Sequence, residues 1–286
     1  MSKIPIRSLR QKAEISFSRN FTIRSIASIL NGSDILHELH RHTYFFNLAV
    51  KTGSGYHEID FERYPVNDHT LFLLRPGQVH QLELKAGSEG YLVEFDTELY
   101  HPVGELANQR LRKATTKNYC DLEAPKFNRL LSVLDNMFYE YSEKEEGYWD
   151  IIRANLEIFF IEFARHSRSV SKANKNGNSY TQERFEELTE LIEKNIATHK
   201  QVSQYADLMH MSAYQLNSIT KASVNKSASE LITDQVLLEA KRYLLATSDQ
   251  VKEIADTLGY EDISYFIRFF KKQTGYSPEA YRQNFK

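Results

Sequence analysis

From Ile15 to about Phe95 the chain alternates short apolar and aromatic runs with turn signals: Asn31-Gly32-Ser33-Asp34, Thr52-Gly53-Ser54-Gly55, Pro65-Val66-Asn67-Asp68, Arg75-Pro76-Gly77 and Ala86-Gly87-Ser88. Runs such as Tyr44 to Lys51, Thr70 to Leu74 and Gly90 to Phe95 predict strands, and strands at this spacing predict an antiparallel sandwich or barrel. After Asp96 the period changes. Phe127, Leu130, Leu131, Leu134 and Phe138 recur at spacings of three and four, as do Ile151, Ile152, Leu156, Phe159, Phe160 and Phe163. This predicts two amphipathic helices with wide apolar faces, packed as a hairpin. The second ends near His166, because Ser167 to Ser179 is a polar stretch that reads as a linker.

From Thr181 onward every segment has a helical period, with start signals at Thr181, Ser203, Ser212 with Gln215, Asp249, and Ser277-Pro278. About seven helices are predicted there. The organisation expected is a β domain over 1–105, a helical dimerisation region over 106–168, a flexible linker over 169–180 and an all-α domain over 181–286.

Composition narrows this picture only a little. The chain has 286 residues, 41% of them hydrophobic, enough for a core in each domain. No apolar run approaches the roughly 20 residues that span a bilayer, and Met1 to Arg10 lacks the apolar stretch of a signal peptide, so a cytoplasmic location without membrane contact is expected. The single Cys120 excludes an intramolecular disulfide and a cysteine zinc cluster, and it reads as a structural thiol. Net charge is −2. Nucleic-acid affinity depends on where cations sit, however, and Ile263 to Lys286 carries Arg268, Lys271, Lys272, Arg282 and Lys286 against one acid, Glu279.

Two stretches in the all-α domain resemble each other about fifty residues apart: Tyr205-Ala206-Asp207-Leu208-Met209-His210-Met211-Ser212 and Ile254-Ala255-Asp256-Thr257-Leu258-Gly259-Tyr260. In each a small Ala precedes the turn by four residues, where the two helices of a helix-turn-helix cross closely, and Gly259 suits a turn needing positive φ. Second helices follow at Ala213 to Ala222 and Ile263 to Thr274. Leu216 and Ile219, and Phe266, Phe269 and Phe270, are expected to face the core. On pattern alone, two unrelated helix pairs in a bundle remain an alternative.

The run Ile254-Ala255, Leu258-Gly259-Tyr260, Asp262, Ser264-Tyr265-Phe266, Arg268, Phe270-Lys271-Lys272, Gly275-Tyr276-Ser277-Pro278 and Tyr281-Arg282 resembles the signature of the AraC/XylS family of transcription activators. The resemblance covers roughly the last hundred residues. It implies two helix-turn-helix units joined by a long helix, here Ser227 to Ala246, with one recognition helix per unit in successive major-groove turns of double-stranded DNA. Where the family has Arg followed two residues on by Phe, the first unit has Ser218 and Thr220. Tyr214, Gln215, Asn217 and Ser218 are therefore its expected base readers, with Lys221 near phosphate. In the second unit Ser264, Tyr265 and Arg268 take the outward face, and Lys271 and Lys272 suit phosphates.

His40 and His42 precede a strand, and Arg75-Pro76-Gly77-Gln78-Val79-His80 closes a later turn. This arrangement resembles the metal site of cupin barrels, which the family's sensor domains also resemble. Phe46 stands where metal-binding cupins place a Glu; three imidazoles could still hold a zinc or nickel ion with water, but the resemblance implies sensor domains that often keep this pattern without metal, so no metal and no cofactor are assigned. His40, His42, Tyr44, Phe46, His80 and Tyr91 are instead candidate ligand-binding residues at a barrel mouth, suited to a sugar or small organic acid. The expected fold is α+β multidomain: a cupin-like antiparallel β-barrel, a helical hairpin and a double helix-turn-helix domain. The expected function is a non-enzymatic, sequence-specific regulator acting as an activator, with a small-molecule effector, RNA polymerase and a second copy of itself as partners. The rival reading is a metal-dependent cupin enzyme with an appended helical domain.

Overall fold

The computed structural model describes residues 6–7, 21–96, 99, 114, 117–167 and 179–285. The expected linker falls almost wholly on 168–178, outside the described residues, as does Lys286. The chain forms two compact units, one on each side of that stretch.

The first unit contains strands β1 (Ile6–Arg7), β2 (Phe21–Ser25), β3 (Ile35–His42), β4 (Phe45–Thr52), β5 (Gly55–Ile59), β6 (Glu62–Val66), β7 (Thr70–Leu74), β8 (Val79–Leu84), β9 (Glu89–Phe95) and β10 (Tyr119–Asp121). They form two five-stranded sheets, in the orders β1-β3-β8-β5-β6 and β10-β7-β4-β9-β2. All pairings are antiparallel except β1 with β3. A one-turn helix, α1 (Ile26–Leu30), follows β2, with Ser25 capping its start. The pattern did not foretell α1. Nor did it foretell β10, which pairs with β7 through Cys120 and Leu71 inside the region expected to be helical.

The second sheet is buried on both faces, and its period-2 alternation divides two cores. Phe46, Leu48, Phe72, Leu74 and Leu92 point inward, against Ile59, Leu82 and Leu84 of the first sheet. Phe45, Ala49, Leu71, Leu73, Val93 and Phe95 point outward, against helices α2 (Ala124–Glu143) and α3 (Tyr148–Ser167). Phe159, Phe160 and Phe163 of α3 are fully buried in this outer core, each contributing on the order of 1.5–3 kcal/mol. The apolar face that the sequence left free for a partner is thus spent on the barrel. Ile151, expected inside, is exposed.

The second unit holds α4 (Ser179–Asn195), α5 (Val202–Leu208), α6 (Ala213–Val224), α7 (Ala228–Ala246), α8 (Val251–Thr257), α9 (Ile263–Thr274) and α10 (Pro278–Phe285), the seven helices expected. Capping boxes open α6 and α7 at Ser212 with Gln215 and Ser227 with Glu230. Three starts differ from expectation: α4 begins at Ser179, ahead of Thr181, Gln201 rather than Ser203 caps α5, and Gln250 rather than Asp249 caps α8. Among the described residues no helix is long and apolar enough to cross a membrane.

Candidate nucleic-acid interface and sensor site

The helix pairs α5–α6 and α8–α9 are built alike, hydrogen bond for hydrogen bond. Met209 N–H donates to Tyr205 O and Met211 N–H to Ala206 O; in the second pair Leu258 N–H donates to Ile254 O and Tyr260 N–H to Ala255 O. The residue between is left-handed in both, His210 at φ 53° and Gly259 at φ 72°. Only the second position excludes a side chain outright, since a Cβ on Gly259 would stand 1.7 Å from Ala197 O. Ala206 and Ala255 are buried at the crossings, and Leu216 and Phe266 fill the space behind them. N-caps Ser212 and Asp262 open the two second helices, and left-handed Asn225 and Gly275 close them.

This construction decides which side chains are free for a ligand. On α6, Tyr214 is 85% exposed, and Ser218 and Lys221 follow it on the exposed side at helical spacing. Asn217, an expected base reader, is turned to structure: its Nδ2 donates to Ala213 O at 2.9 Å, and its Oδ1 accepts from Ala228 N at 3.0 Å, anchoring the first turn of α7. Gln215 commits its amide oxygen to the Ser212 cap. On α9, Ser264, Tyr265, Arg268, Lys271 and Lys272 are all exposed, over buried Phe266 and Phe270. Phe269, expected in the core, is half-buried and lines a cleft of about 440 Å³ with Lys200, Ile232, Tyr265, Arg268 and Lys272. Lys200, absent from the sequence reading, also reaches Ala197 O at 3.0 Å and lies over the Tyr260 ring; burial pulls its ammonium below the usual lysine range. Arg268 meets Asp262 at only 3.7 Å with both side chains well exposed, a contact worth a few tenths of a kcal/mol. Arg282 leaves the basic patch altogether: its Nε donates to Leu244 O and its Nη2 to Asp249 O, tying α10 to the end of α7.

In the other unit His40 and His80 are cross-strand partners, and His42 follows two residues on, on the same face. All three are buried. One ring nitrogen from each lies within 4.8 Å of the other two. His57 on β5, missed in the sequence because it stands alone there, is fully buried and places Nε2 2.7 Å from His80 Nδ1. Burial lowers all four imidazoles, His40 to about 4, His42 to about 2, His57 to about 3 and His80 well below its usual value. They are therefore neutral at pH 7. Phe46 stacks on His42 at 5.2 Å. Tyr44 donates to Glu94 at 2.9 Å, and Thr22 and Arg24 share the same carboxylate. Glu94 and Arg24 are thus polar neighbours of the cluster that the strand pattern did not single out. Tyr91 is not brought to it: on the outer face of β9, its hydroxyl donates to Asp135 of α2 and its ring packs on Phe138, because odd-numbered positions of β9 face the helices.

Two family models match the chain, a helix-turn-helix domain over residues 205–284 and an AraC-like ligand binding domain over 25–146. The chain belongs to the AraC family of transcription regulators. Similar relatives include the HTH-type transcriptional regulator YfiF of Bacillus subtilis (strain 168), 22% identical over 87% of this chain and 79% of that protein. The HTH-type transcriptional activator RhaR of Mannheimia succiniciproducens is 20% identical over 86% of this chain and 87% of its own length. The bifunctional transcriptional activator/DNA repair enzyme AdaA of Bacillus subtilis is 33% identical, but over 34% of this chain and 46% of that protein. In this AraC-family regulator the matched helix-turn-helix model covers the first helix pair from Tyr205 onward and the whole of the second, and the matched ligand-binding model encloses the histidine cluster.

Proposed function

We propose that the regulator reads DNA through Tyr214 and Ser218 of α6 and Ser264, Tyr265 and Arg268 of α9, while Lys221, Lys271 and Lys272 meet phosphates. The observation that carries this reading is the duplicated helix-turn-helix, in which each second helix buries one face and leaves the opposite face polar and exposed. Arg268 is the natural guanine reader, being exposed and only loosely held by Asp262. Asn217 and Gln215 act in the first unit by fixing the helix rather than by reading bases. In this reading the protein works as a cytoplasmic homodimer that recruits RNA polymerase as an activator.

The effector site in this reading is the inner face of the barrel at His40, His42, Tyr44, Phe46 and His80, with Glu94 and Arg24 as added polar groups. Stacked rings beside a carboxylate and a guanidinium suit a small polyhydroxylated or acidic molecule. Fluorescence anisotropy with genomic fragments at several salt concentrations tests the DNA reading. Specific binding that weakens roughly ten- to hundredfold in Arg268→Ala supports it, and binding indifferent to that change rejects it.

A further inference from the structure

We propose that His40, His42 and His80 form a binding site for a divalent transition-metal ion of the zinc type, with His57 positioning His80 for it. The sequence alone leaves these imidazoles as pocket groups, since Phe46 takes the place of a carboxylate ligand. The hydrogen bonds around the rings say more. His40 Nδ1 lies 2.6 Å from Glu38 O. A carbonyl only accepts, so His40 carries its proton on Nδ1 and presents a lone pair on Nε2. That lone pair faces His42 Nε2 at 3.1 Å. His80 Nδ1 is engaged by His57, and its buried Nε2 has no hydrogen-bond partner. His42 Nδ1 is a second buried nitrogen without one. Unsatisfied buried nitrogens are costly, on the order of 1–3 kcal/mol each; the cluster leaves three of them, His42 Nδ1, His57 Nδ1 and His80 Nε2, and an ion bound by the three rings would engage His80 Nε2.

The donor set selects that occupant. Three neutral imidazoles with no carboxylate suit zinc, cobalt or nickel and not magnesium or calcium. Glu94, the nearby acid, is consumed by Thr22, Arg24 and Tyr44. Metal–nitrogen bonds of about 2.0–2.1 Å would bring the three nitrogens within about 3.5 Å of one another, a modest contraction from their present spread. Binding exchanges the His42-to-His40 hydrogen bond for metal bonds, with the His42 proton moving from Nε2 to Nδ1. A three-histidine site leaves a fourth position for water or an oxygen of a bound molecule. Glu38 O holds His40 in the tautomer that exposes Nε2, and His57 Nε2 does the same for His80 once His80 Nδ1 donates to it, the supporting arrangement usual for metal-bound histidine. The site is independent of the DNA-binding reading and stands or falls without it.

The test uses the full, tag-free chain stripped with a chelator and then given Zn²⁺ or Co²⁺ alone. The expected result is one ion per chain by elemental analysis after gel filtration, a raised melting temperature, and the intense visible absorption of four-coordinate Co²⁺. His42→Ala and His80→Gln should each weaken affinity by about a hundredfold or more, and His57→Phe by about 10–100-fold. A folded wild-type chain that takes up no ion, or only six-coordinate Co²⁺ with weak absorption, overturns the proposal. Uptake unchanged in both His42→Ala and His80→Gln places the ion elsewhere and overturns it equally. Should either variant fail to fold, the wild-type Co²⁺ spectrum still decides.

Discussion

The two left-handed turn residues make a matched pair of tests at the scale of single side chains. His210 sits at φ 53°, in a conformation that costs an L residue roughly 1–2 kcal/mol, less what glycine loses through its freer unfolded chain. His210→Gly should therefore stabilise the chain by about 0.5–1 kcal/mol in urea unfolding, and a loss of stability would show that the imidazole has a role at the turn. Gly259→Ala adds a collision with Ala197 O to the same strain, and a cost of about 3 kcal/mol or more is expected. Arg268 illustrates the opposite case, a residue whose loss should leave stability alone. Its long, exposed contact with Asp262 predicts an unchanged melting temperature in Arg268→Ala together with lost base preference. Lys272→Ala should instead weaken all sequences alike and lower the salt slope by about one unit. A lowered melting temperature with intact preference in Arg268→Ala would reject base reading. Gly259, the Ser212 cap and the exposure of Arg268 were legible from residue type and spacing. Asn217 and Arg282 were not, because an exposed helical position looks the same in sequence whether its side chain reaches for solvent or folds back onto a carbonyl.

Periodicity identified α2 and α3 and their apolar faces but not what those faces meet, since a sheet and a second protomer ask for the same residues. With Phe159, Phe160 and Phe163 turned to the barrel, the apolar residues that α3 leaves outward are Ile151 and Ile158, with Ala154 between them. They stand at spacings of three and four, the stripe of a helix that pairs with another. If the homodimer forms there, Ile158→Glu should shift the chain toward monomer in sedimentation while its melting temperature at low concentration stays close to wild type. A dimer unaffected by the charge would move the interface off α3. Strand alternation was similarly legible in kind and incomplete in direction. It put Phe46 and Tyr91 on strands, yet only the pairing of β4 with β9 shows that they face opposite cores. Glu94 joined the sensor site through that same pairing, and His57 through the pairing of β5 with β8 in the other sheet, both from parts of the chain that carry no motif.

The molecule forms two compact units, and the division has a consequence for binding. The C-terminal unit carries its own ties between elements: Arg282 joins α10 to α7, Asn217 joins α6 to α7, and Lys200 reaches Ala197 O and Gly259 O across its two turns. None of these contacts needs the barrel, and Phe270, Tyr281 and Leu244 give the unit a core of its own. The fragment Tyr180 to Lys286 is therefore expected to unfold cooperatively by itself and to bind DNA. The chain as a whole is slightly acidic, with a net charge of −2, so affinity must come from local cations on α6 and α9. Each phosphate they neutralise contributes about 0.9 to the slope of log affinity against log salt. The fragment should then match the full chain in salt slope and, if the first unit carries the proposed dimer contact, bind more weakly through loss of the second copy's contribution to avidity. Gel-shift titrations of both at several salt concentrations measure this directly. A fragment whose slope is near zero, or which melts without a transition, would show that the barrel takes part in holding or charging the DNA-binding surface.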